Sequence, residues 1–190
     1  MTHSTTWMTA AFCIAVLTGC GGGGTGGGDR SHEALLSDFE TRFGTNPELA
    51  REWRLPSGSA RYDGAATFNL TDLDQVDRDS VSPSDIRGYV GAMRLNVNFD
   101  RNGVGGRIDD FEDFRGRDVS GSVTISGGRL TGRNRQGLGD GLRADADGRI
   151  DGRPVNMDVE GSFVGGTGGG VALWFDDPNR LWGGVAVGIR

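Results

Sequence analysis

Alternation of apolar and polar residues with a period of two is the feature that most constrains the fold of this chain. The clearest case runs from Tyr89 to Phe99, where every second residue is apolar or glycine. Similar segments recur to the C-terminus, separated by turn pairs such as Asn102-Gly103 and Asp151-Gly152. Such alternation gives each strand one apolar face. The pattern predicts eight or nine short strands over roughly 130 residues, arranged as an antiparallel meander.

Glycine supplies 35 of the 190 residues, well over the usual share of about 7%. No three-residue period is present, which excludes collagen, and most glycines beyond residue 57 lie within or beside the alternating segments. Glycines in such places favour tight turns and bends at the corners of a closed sheet. Gly127-Gly128 is predicted to turn a strand at 119–125 back into one at 129–133, and Gly165–Gly170 is predicted to connect a hairpin.

Eight strands are enough to close a barrel whose interior is filled by side chains or holds one small ligand. Closure also removes the open edges at which glycine-rich sheets aggregate. We therefore predict an all-β fold, a single small antiparallel up-and-down β-barrel of about eight strands spanning residues 58–190, preceded by a short helical segment.

That helical segment is predicted over residues 31–57. Ser31 is a suitable N-cap for a helix that runs to about Phe43, with Leu35, Leu36, Phe39 and Phe43 on one face. Asn46-Pro47 is typical of the start of a second short turn. The apolar face is expected to pack on the barrel, and binding of a partner by this face is the alternative.

The N-terminus resembles the export signal of bacterial lipoproteins. Residues 1–19 carry no Asp, Glu, Lys or Arg, and Met8–Leu17 is an apolar stretch too short to span a bilayer. Leu17-Thr18-Gly19-Cys20 is similar to a lipobox, which implies cleavage before Cys20 and acylation of its side chain. Residues 20–30 then form a Gly-rich tether that spans roughly 17 Å root-mean-square. An ordinary secreted protein with a chance cysteine, or a short N-terminal anchor, are the alternatives.

Composition excludes several functions. All 20 basic residues are Arg, so chemistry that needs a lysine amine is absent. After signal cleavage His32 is the only histidine, which excludes a His-based triad and a two-His metal site. A net charge of −6 and a pI near 4.9 argue against nucleic-acid binding. We predict no enzymatic activity, no metal and no cofactor.

Two acidic motifs were weighed as sites. Asp145, Asp147, Gly148 and Asp151 resemble part of a calcium loop, but Arg143 and Pro154 stand where its first and last ligands belong. We interpret this stretch as β-turns.

The cluster Asp109, Asp110, Glu112 and Asp113 offers the carboxylates that glycoside hydrolysis needs. Neighbouring acids at the end of one strand are, however, more typical of a solvated loop, which is the interpretation favoured here.

Trp174 has the opposite parity to Val171, Leu173 and Phe175, so either it or they face outward. An outward Trp near Trp182 is predicted to be a partner contact. The sequence otherwise identifies no ligand-binding residue.

Two segments carry a resemblance to a known family. GYVGAMRLNVNFDRNGVGGRIDDF, from Gly88 to Phe111, and VEGSFVGGTGGGVALWF with the terminal GGVAVGIR, from Val159 to Arg190, are similar to the barrel strands of transferrin-binding protein B-like lipoproteins of Gram-negative bacteria. Glycines replace the family's usual Ala and Glu within Gly166–Val171. The resemblance implies a lipid-anchored barrel at the outer membrane, on the cell surface or the periplasmic face. It also implies binding of a host protein, haem or another nutrient carrier.

Two other functions stay open from the sequence. A lipocalin-like carrier would hold a small apolar ligand in a hollow barrel. A small integral outer-membrane barrel would turn its apolar face to lipid and its polar face inward.

Overall fold

One helix and nine strands make up the described part of this computed structural model, which covers residues 31–44, 56–71, 86–132, 141–178 and 182–190. The predicted signal peptide, the Cys20 attachment site, the tether and the Asn46-Pro47 turn lie outside the described residues. The elements are α1 (His32–Phe43), β1 (Ser59–Thr71), β2 (Ile86–Asn98), β3 (Gly103–Asp113), β4 (Asp118–Val119), β5 (Gly121–Thr131), β6 (Gly141–Ile150), β7 (Arg153–Val164), β8 (Gly170–Asp176) and β9 (Trp182–Ile189).

Eight of these strands close into an antiparallel barrel. β1, β2, β3, β5, β6, β7, β8 and β9 each pair with the next along the chain, and β9 pairs with β1. The two-residue strand β4 is additional and pairs with the end of β3. The predicted up-and-down barrel with a preceding helix is therefore confirmed.

The barrel interior is filled by apolar side chains. Phe68 lies at its centre, with ring centroids 5.0 Å from Phe175 and 6.0 Å from Phe111. The largest side chains that are almost fully buried are Tyr62, Phe68, Phe111, Phe163, Phe175, Met93, Leu95, Ile108, Ile125, Leu142, Ile150 and Met157. Most come from the alternating positions of the sequence, so the period-two pattern identified the core face of each strand.

One buried hydroxyl belongs to this core. The Tyr62 hydroxyl donates a hydrogen bond to the carbonyl oxygen of Gly168 at 2.8 Å. Burial raises the pKa of Tyr62 to about 12. The phenol therefore stays protonated at neutral pH and ties β1 to the β7–β8 loop.

Three of the predicted hairpin connections are present, and the first is the turn at Asn102-Gly103 that joins β2 to β3. Asp151 and Gly152 join β6 to β7 with φ angles of 54° and 73°. Positive φ at both central residues is typical of a type I′ turn, which matches the twist of the flanking strands. The glycine-rich loop at 165–169 joins β7 to β8, and Gly165 and Gly168 in it also have positive φ.

The turn predicted at Gly127-Gly128 is wrong. β5 continues through these residues, and its pairing with β6 shifts between Ser126 and Arg129. Two glycines there lie opposite Ala144, and Gly127 has a φ of 64°. This is a β-bulge of the type that needs a left-handed first residue, so the Gly pair bends a strand rather than ending it.

The acidic cluster is a second correction. Asp109, Asp110, Glu112 and Asp113 lie within β3 rather than in a loop, and a register shift against β2 at Asp110, whose φ is 53°, marks another bulge. Asp109 contacts Arg94 at 3.3 Å and Arg107 at 2.9 Å. Asp109 and Asp110 both lie beside Arg94 of β2, whereas Glu112 and Asp113 have their partners in α1 and in the turn that follows β3.

Helix α1 packs on the outside of the barrel. Ser31 accepts a hydrogen bond from the Ala34 amide, as an N-cap does. Phe39 and Phe43 form a small outer core with Val164 and Val187. The Arg42 guanidinium donates to the carbonyl oxygen of Arg190 at 3.3 Å. The predicted packing of the helix face on the barrel is observed.

Candidate binding surfaces

The calcium-like motif does not form a loop. Asp145 and Asp147 point outward from β6, between the inward-facing Ala144 and Ala146, and Asp147 accepts a hydrogen bond from Asn156 at 2.6 Å. The interpretation of the whole stretch as β-turns is wrong, because Asp145, Asp147 and Gly148 lie within β6 and only Asp151 lies in a turn. The described residues contain no group of three His, Cys, Asp or Glu side chains able to hold a metal ion.

Trp174 faces outward, and this resolves the parity question left by the sequence. Val171, Leu173 and Phe175 are buried in the barrel, whereas Trp174 is half-buried on the outer face of β8. The Trp182 ring belongs to the core instead, because it is buried and packs against Tyr89, and its Nε1 donates to the Pro154 carbonyl at 3.0 Å.

Four outward residues, one on each of four neighbouring strands, form a strip that includes Trp174. Strand register places Trp174 beside Val185, Val185 beside Thr67, and Thr67 beside Val90. All four are half-buried, and we name them the Trp174 strip. Three inter-strand spacings of about 4.8 Å give the strip a length of roughly 14 Å.

Charged groups bound the Trp174 strip at both ends. Beside Trp174 on β7 lies Glu160, which contacts Arg143 at 2.9 Å. Beside Val90 on β3 lies Glu112, whose carboxylate is 3.9 Å from His32 Nδ1. An apolar centre with a polar edge is the usual composition of a protein-binding surface.

A second surface lies at one rim of the barrel. Phe114 is 53% exposed and is the one exposed large apolar side chain among the described residues. It opens the turn at 114–117, its amide donates to the Gly88 carbonyl at 3.2 Å, and its ring lies directly over Gly88. A Cβ at Gly88 would overlap this ring, so the glycine creates the seat for it.

A hollow of about 710 Å³ lies beside the Phe114 ring, between this turn, the start of β2 and the β6–β7 turn. We name the hollow and its walls the Phe114 rim. Its lining includes Arg87, Tyr89, Asp113, Phe114, Arg115, Arg117, Asp118 and Asp151. Three arginines and three aspartates leave the rim without net charge.

One ion pair fixes the turn at the Phe114 rim. Arg117 contacts the Asp113 carboxylate at 2.5 Å, and the amides of Arg115 and Arg117 donate to the same group at 2.9 and 3.0 Å. The hydrogen bond from the Arg117 side chain is the largest cause that lowers the pKa of Asp113 to about 2. Asp113 is therefore ionised and saturated with donors at neutral pH.

The other charges of the Phe114 rim are held less tightly. Tyr89 donates its hydroxyl hydrogen to Asp151 at 3.2 Å, and burial, reinforced by Asp151, raises the pKa of Tyr89. Arg87 lies 4.0 Å from the same carboxylate. Within the described parts of the chain, the side chains of Arg115 and Asp118 form neither an ion pair nor a hydrogen bond.

Sequence reasoning found Trp174 but missed Phe114. The available signal was an aromatic residue between charged neighbours in DFRGRD, followed by a glycine that has positive φ. Such a residue cannot be assigned to core or surface by alternation, because the turn has no period.

No protein-family model matches the chain, and no curated protein matches it either. The resemblance to transferrin-binding protein B-like barrels therefore stays a prediction. Among the described residues, no helix is both long enough and apolar enough to cross a membrane.

Proposed function

We propose that this protein is a non-enzymatic lipoprotein, anchored to the outer membrane through acylated Cys20, that binds a protein or nutrient-carrier ligand with the outside of its barrel. The observation that carries the proposal is the Trp174 strip, in which Trp174, Val185 and Val90 form a row with Thr67 on the outer wall, bounded by Glu160 and Glu112. Trp side chains are enriched among the residues that dominate binding energy in protein interfaces. The cell surface or the periplasmic face is its expected location.

The filled interior supports recognition by the outer surface. A lipocalin-like carrier needs a cavity in the barrel, and here the rings of Phe68, Phe163 and Phe175 occupy the interior. The structure thus gives little support to an internal apolar ligand.

The outer wall gives little support to an integral outer-membrane barrel. Outward positions in the strands hold charged groups, among them Asp63, Arg94, Arg107, Arg143, Asp145 and Asp158, and Arg107 lies near the middle of β3. An Arg at the middle of a bilayer costs about 2–4 kcal/mol in such barrels. A lipid anchor in addition to a membrane-spanning barrel would be redundant.

Affinity capture tests the binding surface. The chain from residue 20, with Cys20→Ala, would be immobilised and exposed to host serum and to envelope extract, and bound proteins would be identified by mass spectrometry. We expect Trp174→Ala to reduce capture of a specific protein at least about tenfold, as loss of a central Trp contact does. Trp174→Phe should retain part of the capture.

Thr124→Ala, an exposed outward position on β5, is the control and should leave capture unchanged. Equal capture by wild type and Trp174→Ala would remove the Trp174 strip from the binding surface. Absence of any specific protein from both sources would count against the proposed function as a whole.

A separate experiment tests the anchor. Wild-type chain should partition into detergent and label with a radioactive fatty acid, whereas Cys20→Ala should leave the membrane in buffer alone. Protease treatment of intact cells then distinguishes the cell surface from the periplasmic face. Unlabelled wild-type chain would show that the lipobox is not used.

A further inference from the structure

We propose that the Phe114 rim is the contact surface for a second copy of this chain, in a dimer with two-fold symmetry. The proposed partner binding by the Trp174 strip does not use this rim, and the two surfaces are formed by different residues. A two-fold contact requires one surface to be complementary to itself, and three features of the rim meet this requirement.

The first feature is a knob beside a hole. Phe114 projects from the rim with more than half of its side chain exposed, and the adjoining hollow of about 710 Å³ is open to solvent. In a two-fold contact each Phe114 ring enters the hollow of the other copy, together with its neighbour Arg115. Burial of an exposed aromatic ring gives the apolar contribution that a stable contact needs.

The second feature is a pair of opposite charges on one turn. Arg115 and Asp118 are three residues apart, yet they form no ion pair with each other or with other described residues. Across a two-fold axis, Arg115 of one copy faces Asp118 of the other, and the same pair forms again by symmetry. Both charges gain a partner that the described residues of their own chain do not supply.

The third feature is the balance of the remaining charges. The chain as a whole has a formal charge of −6, so two copies repel one another overall. The Phe114 rim, with its three Arg and three Asp, has no net charge and avoids this repulsion. Asp113 is already neutralised by Arg117, so it does not compete for Arg115.

The position of α1 is compatible with this dimer. His32, at the start of the helix, lies 3.9 Å from Glu112, one residue before Asp113 of the rim. In a rim-to-rim dimer both helices therefore begin near the contact.

Sedimentation equilibrium on the chain from residue 20 with Cys20→Ala tests the dimer, because this change removes both the lipid and any intermolecular disulfide. We expect a concentration-dependent dimer for the parent chain and a monomer for Phe114→Ala. Arg115→Asp and Asp118→Arg each place like charges across the axis twice, and each should raise the dissociation constant about tenfold or more. The combined charge swap should restore it to within about threefold.

Arg101→Asp, in the exposed β2–β3 turn at the opposite rim, is the matched control and should not change the dissociation constant. Circular dichroism spectra and thermal unfolding of each variant identify any that fail to fold, and the charge swap then tests the contact independently of Phe114. A monomer at all concentrations, or single reversals that weaken the dimer without restoration by the swap, would overturn the proposal. Trp174→Ala should remain dimeric, which separates failure of the dimer from failure of partner binding.

Discussion

Replacement of Gly64 by Ala tests whether inward glycines determine the curvature of the barrel. Gly64 lies on β1 opposite Gly188 of β9, and a Cβ there would overlap the Val187 carbonyl oxygen and lie 2.6 Å from Gly188 Cα. Carbon atoms pack at about 3.5–4.0 Å, so β1 and β9 would have to separate by about 1 Å. That separation stretches the ladder that closes the barrel.

The expected cost is about 3 kcal/mol. Overpacking of a well-packed core typically costs about 1–3 kcal/mol, and each weakened backbone hydrogen bond adds about 0.5–1.5 kcal/mol. Gly183→Ala is the matched control, because a Cβ at this β9 position has no heavy atom within 4 Å. That control should be neutral or stabilising by up to about 1 kcal/mol, since Ala restricts the unfolded chain.

Urea unfolding monitored by tryptophan fluorescence measures the difference. With a urea m-value of about 2 kcal/mol/M, the midpoint of Gly64→Ala should fall about 1.5 M below that of the wild type. If Gly64→Ala yields no folded protein, Gly148→Ala replaces it, because a Cβ there would lie 2.8 Å from Val123 Cα. Equal midpoints for Gly64→Ala and Gly183→Ala would refute the argument that close backbone approach requires these glycines.

Two further predictions concern the rim and the helix. Arg117 lowers the pKa of Asp113 from 3.8 to about 2, so this contribution to stability is present above about pH 4 and is lost as the pH falls towards 2. In Arg117→Ala the carboxyl titration of Asp113, followed by NMR, should move up towards the ordinary value, although the amides of residues 115 and 117 still donate to it. An unchanged midpoint would show that the Arg117 side chain is not the main cause. Phe43→Ala removes the ring that packs on Gly165 and Gly170, so amide hydrogen exchange in α1 should accelerate at least about tenfold while exchange in the barrel strands stays unchanged. Thr41→Ala, on the exposed side of the helix, should not accelerate exchange, and an equal effect of both changes would contradict the packing.

Much of the fold was predictable because strand alternation is local information. An alternating segment such as Tyr89–Phe99 shows which face of its strand is apolar, and a pair such as Asp151-Gly152 shows where the chain reverses direction. Gly127-Gly128 was misassigned because a bulge and a turn both need glycine with positive φ. The partner strands decide whether such a pair forms a bulge or a turn. Here β3 and β6 flank β5. Because β3 still pairs with Gly128 and β6 continues to pair with β5 beyond Gly127-Gly128, the pair forms a bulge.

The acidic cluster was assigned to a loop for a related reason, since its environment also depends on the partner strands. Asp109 and Asp110 look like loop residues in sequence because β-strands are poor in Asp. Here Arg94 and Arg107 supply counter-charges from a neighbouring strand and from β3 itself, at positions that only the register can show. Long-range pairing therefore overrode local preference, as it does wherever cross-strand partners decide the cost of a residue.

The candidate binding surfaces were hardest to predict. They are defined by apolar side chains that lie beside charged ones on neighbouring strands, and the sequence does not show which residues become neighbours. Trp174 and Leu173 are adjacent in β8, so their side chains lie on opposite faces of the strand. Alternation alone does not say which of the two faces is the inner one until the core is known. Leu173 and Phe175 are buried in the interior, so alternation along β8 places Trp174 on the outer face. A filled barrel thus restricts recognition to its outer wall and rims. Under the proposed function, binding specificity therefore lies in the few apolar groups that the outer wall and the rim present among charged residues.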